Sequence, residues 1–211
     1  MTQAATAEKV RRGPNAVRRA STRDKTLKAT IQCLAEHGYA ETSTPRVTRL
    51  ADVSRGSLLH QFPAKVDLII AAAEYAAARM GERNTAAIGA IPRGRGRFIG
   101  VVDAFWDTLQ SPESIALLEI MLAARNDREL AQHITKFAAA FEKAVDQSAR
   151  RFAAKTGLKD EDGESETLAR VTRMALRGLL IETMLSGERA KPADVIDFLK
   201  AVRADFHDRH S

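Results

Sequence analysis

Apolar residues in this chain recur three and four positions apart from Leu27 to Phe206, and no segment sustains the period-two alternation of a half-buried strand. That periodicity restricts the chain to an all-α fold. Its 211 residues hold enough apolar content for a real core without metals or disulfides. The single cysteine, Cys33, has no internal partner, and the histidines at 37, 60, 133, 207 and 210 form no cluster at metal-ligand spacing. A reduced, cytosolic protein with no cofactor and no structural metal is expected.

Punctuation divides the helical pattern. Residues 1–20 are rich in Ala and Arg without apolar periodicity and read as a flexible basic arm. Ser21, with Asp24 three residues on, is expected to cap a helix carrying Leu27, Ile31 and Leu34, which Gly38 stops. Thr44-Pro45 opens a short helix over 45–51 with Val47, Leu50 and Ala51 inward and Arg46 and Arg49 outward. Asp52-Val53-Ser54 interrupts it, and a second short helix follows from Arg55 to Gln61, ended by Phe62-Pro63. Two short helices across so tight a turn make a helix-turn-helix unit. Longer helices follow: 63 to about 80, ending near Gly81; one with Phe98, Phe105 and Trp106 after the loop IPRGRGR; one from Ser111-Pro112. Asn126 and Glu129 signal the start of another bearing Phe137 and Phe141, and the last two end at Gly187 and begin at Pro192.

Charge is unevenly placed. Residues 1–66 carry twelve Lys/Arg against five Asp/Glu, and the remainder twenty-one against twenty-two. All the excess positive charge therefore lies in the first third, as expected when one end of a molecule meets a polyanion. The N-terminus lacks the apolar stretch of a secretory signal. The longest apolar run, from Leu68, meets Glu74, far short of the roughly 20 residues needed to span a bilayer, so the chain is read as soluble with no membrane partner.

Several lookalikes fail on chemistry. Gly94-Arg-Gly96 has no strand before it, as a dinucleotide fingerprint requires. Asp160 to Gly163 lacks the third ligand position and terminal Glu of a calcium loop. There is no nucleophile elbow, zinc-protease helix or Walker loop, and an enzyme is not expected.

Gly38-Tyr39, Thr42-Ser43-Thr44, and above all Val53-Ser54-Arg55-Gly56-Ser57-Leu58 with His60, Phe62, Pro63 and Lys65 resemble the DNA-binding head of the TetR (tetracycline-repressor-like) family of bacterial regulators. The resemblance covers about fifty residues. It implies a homodimer whose third helix enters the major groove of a double-stranded operator, with Thr44, Arg46, Ser54, Arg55, Gly56, Ser57, Leu59, His60 and Lys65 at the DNA and Lys65 on a backbone phosphate. Arginine reads guanine through paired hydrogen bonds, and Gly56 lets a helix approach closely. Two positions depart from the family: Asp52 stands where a glycine is usual in the turn, and Leu59 where a tyrosine is usual. The expected organisation is a flexible arm over 1–20, a DNA-binding domain over 21–66, and a ligand-binding and dimerisation domain over 67–211.

The body beyond the head is read from spacing. Phe98, Phe105, Trp106, Met121, Phe137, Phe141 and Met174 are the large or adaptable side chains that would line a cavity for a small apolar or amphipathic effector. Residues 174–185, MALRGLLIETML, are apolar on nearly every face, so this helix is covered on two sides. In the family the last two helices form the dimer interface; here Ala175, Gly178, Leu179, Val195, Leu199 and Val202 would fill that seam. The expected function is a ligand-responsive transcriptional regulator, a repressor. The competing classes are a small-molecule binder or scaffold with a degenerate head, and a ligand-independent DNA binder.

Overall fold

The computed structural model describes residues 14–156, 158 and 163–211, and among them it contains nine α-helices, one 3-10 turn and no strand. The elements are α1 (Pro14–Glu41), α2 (Thr44–Ala51), α3 (Arg55–Gln61), α4 (Lys65–Ala90), α5 (Arg95–Leu109), α6 (Pro112–Ala123), α7 (Arg128–Ala154), α8 (Glu164–Ser186), the turn Gly187–Ala190, and α9 (Pro192–His210). Most of the expected arm and nearly all of the rejected calcium loop lie outside the described residues.

The first helix begins at Pro14, not Ser21. Proline suits a first turn, and from Asn15 no glycine or proline interrupts the helix before Gly38. Ser21 thus lies inside α1, and Asp24 is no capping acid: it pairs with Lys28 at 2.8 Å and accepts a 2.9 Å hydrogen bond from the Tyr75 hydroxyl on α4. Gly38 breaks the helix at φ 74°, ψ 176°, and a Cβ there would also lie 3.1 Å from the Glu119 carboxylate on α6. The positive φ is what calls for glycine at this corner, since the Glu119 carboxylate ends a flexible side chain that can shift.

Other boundaries moved for local reasons. The cap of α2 is Ser43, whose hydroxyl makes no capping bond. Pro63 precedes α4, which starts at Lys65 with Asp67 accepting the Ala64 N–H at 3.0 Å. That helix runs through Gly81 to Ala90, where the sequence suggested a stop. The glycine costs about 1 kcal/mol relative to alanine. Burial of Leu68, Ile69, Ala72, Ala73 and Ala76 along α4 outweighs it. Arg95 to Arg97, expected in a loop, form the first turn of α5. The cap of α7 is Asp127, not Asn126, with Oδ1 accepting the Leu130 N–H at 2.9 Å.

Two apolar clusters hold the fold. The larger joins Leu27, Leu34, Val47, Leu58, Phe62 and Ile69 to Leu117, Ile120, Leu130 and Ile134, so the core beneath α1–α3 continues without a break into α6 and α7. The smaller joins Val102 and Trp106 of α5 to Leu176, Leu179 and Leu180 of α8 and Leu199 of α9. At the far end of the body, Phe98 lies between Phe152 and Phe206, with the buried Arg203 guanidinium 4.1 Å over its ring and donating to the Phe98 carbonyl at 2.6 Å. Burial without a carboxylate partner pulls the Arg203 pKa down to about 10.

Candidate nucleic-acid interface

The α2–α3 unit is built on Asp52. This residue adopts the left-handed conformation, φ 52° and ψ 54°, and the turn closes through Asp52 N–H to Arg49 O at 3.4 Å and Val53 N–H to Thr48 O at 3.1 Å. An aspartate tolerates that region better than most residues, which is how the chain makes this turn without glycine. Ser54 then caps α3, its hydroxyl accepting the Ser57 N–H at 3.1 Å. That bond secures the N-terminus of a helix only seven residues long.

Burial divides α3 into two faces. Leu58 and the following Phe62 are buried, and Arg23 of α1 lies 4.9 Å over the Phe62 ring, tying the end of α3 to α1. Burying Leu58 alone contributes about 1.5–3 kcal/mol. The opposite face exposes Ser54, Arg55, Gly56, Leu59 and His60, with Ser57 at its edge. A Cβ at Gly56 would meet nothing within 4 Å, and its φ is not positive, so the fold does not need glycine there. What an absent side chain provides on an exposed helix is room for another molecule's surface.

On α2, Arg49 is exposed, Thr44 is partly exposed, and Arg46 is partly held by Glu41 at 3.3 Å. Leu50, expected inward, is 45% exposed; only Val47 and Ala51 turn to the core on this eight-residue helix. Leu50 thus joins Leu59 as an apolar side chain among the polar groups of the head.

Lys65 makes its contacts within the chain. Its ammonium donates to the Tyr39 carbonyl at 3.2 Å and lies 4.3 Å over the Tyr39 ring, and burial lowers its pKa. It is thus half-buried against the α1 corner. Tyr39 in turn donates its hydroxyl to Asp127 Oδ2 at 2.7 Å, joining the start of α4, the end of α1 and the cap of α7. Neither Asp127 nor this link was anticipated, because 88 residues separate the partners and no local pattern marks them.

The body sorts the remaining residues. Met121 and Phe141 line a cavity of about 30 Å³ with Met80, Leu109, Ser114, Leu117, Leu118, Arg177 and Leu180. A cavity of about 10–15 Å³ holds one water, so this one has room for little more than water. Phe137 stacks on Phe141 at 5.8 Å. Phe98 is committed to its aromatic stack, and Phe105 and Trp106 pack in the smaller cluster, so none of the three lines the cavity. Met174 does not line it either: it is 66% exposed on the outer face of α8. Leu179 and Leu199 are buried within the chain's own core, and Ala175 and Val195 pack against it, whereas Gly178 and Val202 face outward. The outward apolar stripe is instead Val171, Met174, Gly178, Ile181 and Leu185 on α8, with Phe198 and Val202 on α9. No described helix is long and apolar enough to cross a membrane, and no group of three or more metal-ligating side chains occurs among the described residues.

Comparison with known proteins agrees with this geometry. Residues 27–72 match the model of bacterial regulatory proteins, tetR family. A helix-turn-helix transcriptional regulator of Mycobacterium tuberculosis is 29% identical over 133 residues, covering 63% of this chain and 68% of its own. A helix-turn-helix transcriptional repressor of the same organism is 27% identical over 185 residues, 86% of this chain and 92% of its own. The fold matches a crystal structure of a transcriptional regulator from Saccharomonospora viridis in complex with choline, with TM-score 0.64 and 17% identity over 90% of this chain and 96% of that one.

Proposed function

From the match of residues 27–72 to the tetR-family model and the likeness to helix-turn-helix regulators, we propose that the chain is a TetR-family transcriptional regulator, a dimeric repressor, in the cytoplasm, released from a pseudo-palindromic operator by a small apolar or amphipathic effector. The observation that carries the reading is α3: an exposed face of Arg55, Gly56 and His60 fixed by Leu58 and Phe62 beneath it. A groove reader needs that division, since base recognition demands side chains held in register while phosphate contacts set the orientation.

The outward stripe on α8 supports dimerisation. Val171, Met174, Gly178, Ile181 and Leu185 are spaced three, four, three and four residues apart, the repeat of a helix seam, and Phe198 extends the apolar surface onto α9. Two copies joined there would offer two recognition helices to half-sites about one helical turn apart, roughly 34–36 Å.

Release follows from shared elements. Helix α4 places Leu68 and Ile69 in the core of the head and Met80 on the cavity, so a molecule that enlarges the cavity displaces a helix the head depends on. The effector acts only to the extent that it prefers the displaced state. The choline held by the Saccharomonospora viridis regulator supports a small-molecule effector in a body of this fold.

The experiment is a mobility shift at several salt concentrations, comparing DNA upstream of this protein's own gene with random DNA of equal length. Arg55→Ala and His60→Ala are expected to weaken specific binding much more than random-sequence binding. Equal loss on both would reduce these residues to charge neutralisation and sink the repressor reading.

A further inference from the structure

The three arginines on successive turns of α8 are not treated alike. Arg170 lies 3.7 Å from Asp146 and 3.6 Å from Glu166, and Arg173 donates to Asp146 at 2.9 Å. Arg177, one turn further on, has no acidic partner among the described residues, and it is the one of the three that lines the cavity. The rest of that wall is apolar apart from Ser114, with Leu117, Met121, Phe141 and Leu180 around it. An arginine laid along such a surface keeps its stem on the apolar side and its guanidinium toward water at the mouth. That arrangement suits one kind of molecule: an apolar body for the wall and a planar anion for the fork of the guanidinium.

We propose that the effector of this regulator is an amphipathic carboxylate, its anionic group held by Arg177 and Ser114 and its apolar body accommodated between Met121, Phe141 and Leu180. The proposal rests on the effector reading given above. The cavity of about 30 Å³ holds none of that body as it stands, so binding enlarges it. Methionine at 80 and 121 makes enlargement inexpensive, because an unbranched thioether repacks with little strain. A neutral molecule of equal size would fill the same space without an ion pair, and a cation would face a like charge at the mouth.

The test is a titration of the full-length protein with decanoate, 1-decanol and decyltrimethylammonium, each below its micelle concentration. Binding is followed by calorimetry and by fluorescence of Trp106, the single tryptophan, which packs within the smaller core cluster. Decanoate is expected to bind more tightly than the other two. Arg177→Met is expected to weaken decanoate about tenfold or more while leaving 1-decanol unchanged, and Arg177→Lys to restore part of the loss. Equal decanoate affinity in wild type and Arg177→Met, or preference for the cation, would overturn the anionic assignment while leaving a ligand-responsive body intact. If none of the three binds, both the assignment and the effector reading fall. Sedimentation of the same variants separates a further outcome: if Arg177→Met dissociates the dimer and leaves decanoate binding unchanged, Arg177 serves the interface and the proposal is overturned.

Discussion

The Tyr39 hydroxyl donates a 2.7 Å hydrogen bond to Asp127, and through it the last turn of α1 is fastened to the first turn of α7. Lys65 closes the group from the other side, on the Tyr39 carbonyl and ring. This phenol thereby adds a hydrogen-bonded link between the end of α1 and the body, beside the apolar core the two share. Tyr39→Phe keeps the ring and removes the donor. It is expected to lower the thermal midpoint by about 2–4 °C, corresponding to about 1 kcal/mol in a chain of this size. An unchanged midpoint in a calorimetric scan would assign the bond no role in stability.

The same site sets an acid limb. The Leu130 N–H and then the Tyr39 hydroxyl hold the Asp127 carboxyl below its usual pKa. Asp24 is lowered chiefly by Lys28, and Asp208 chiefly by Arg95. A depressed carboxylate contributes its stability above the ordinary carboxylate pKa of about 3.9 and loses it as pH falls through the lower native value. Stability is therefore expected to hold from neutrality to about pH 5 and then to fall with acid. Asp127→Asn keeps a capping oxygen but no titrating group, and denaturant melts from pH 6 to pH 3 are expected to show a shallower fall. A slope equal to that of wild type would locate the acid sensitivity elsewhere.

Gly56 separates stability from function. Its Cβ position is open and its backbone is not left-handed, so Gly56→Ala is expected to stabilise the chain, by up to about 1 kcal/mol from helix propensity. If α3 approaches DNA at this point, the added methyl holds the helix off the groove. Operator affinity is then expected to fall about tenfold or more while the thermal midpoint rises or stays level. A variant that binds its operator as wild type does would remove Gly56 from the interface.

Leu59 makes a narrower prediction. An exposed leucine among the polar residues of α3, if that face enters a groove as proposed, has one base-edge partner of its own chemistry, the thymine methyl group. Replacing thymines by uracil in one half-site is expected to weaken wild-type binding several-fold at a single position, and Leu59→Ala to abolish that difference. Independent, additive effects of the two changes would place Leu59 away from the methyl.

The legible parts of this molecule were those with local causes. Gly38 and Gly187 are positive-φ stops, Ser111 is a cap, Pro192 opens the last helix, and Asp52 makes the turn of the helix pair. Each follows from the chemistry of one residue and its near neighbours. What was not legible depended on distance or on phase. Tyr39 and Asp127 are brought together by the packing of α1 and α7, which no spacing announces. Gly81 lost to the alanines that bury α4 against the core. In MALRGLLIETML, apolar residues on every face leave the helical phase undetermined, and only the packing of Leu176, Leu179 and Leu180 against α5 reveals which side is inward.

That phase supplies the test of the dimer. Leu179 and Leu199 lie in the chain's own core, whereas Met174, Leu185 and Phe198 are 66%, 78% and 68% exposed. Large apolar side chains at that exposure, repeated on two helices, form a surface that a second copy would bury. Met174→Glu with Leu185→Arg is expected to give a monomer by sedimentation with unchanged helical circular dichroism, and to weaken operator binding because the two half-sites no longer act together. Leu179→Ala is expected to do the reverse: it costs about 2–5 kcal/mol of stability by leaving a cavity, yet leaves the folded protein dimeric. If the Leu179 variant dissociates and the double variant remains a dimer, the interface runs along the other side of α8, and the outward stripe has no part in assembly.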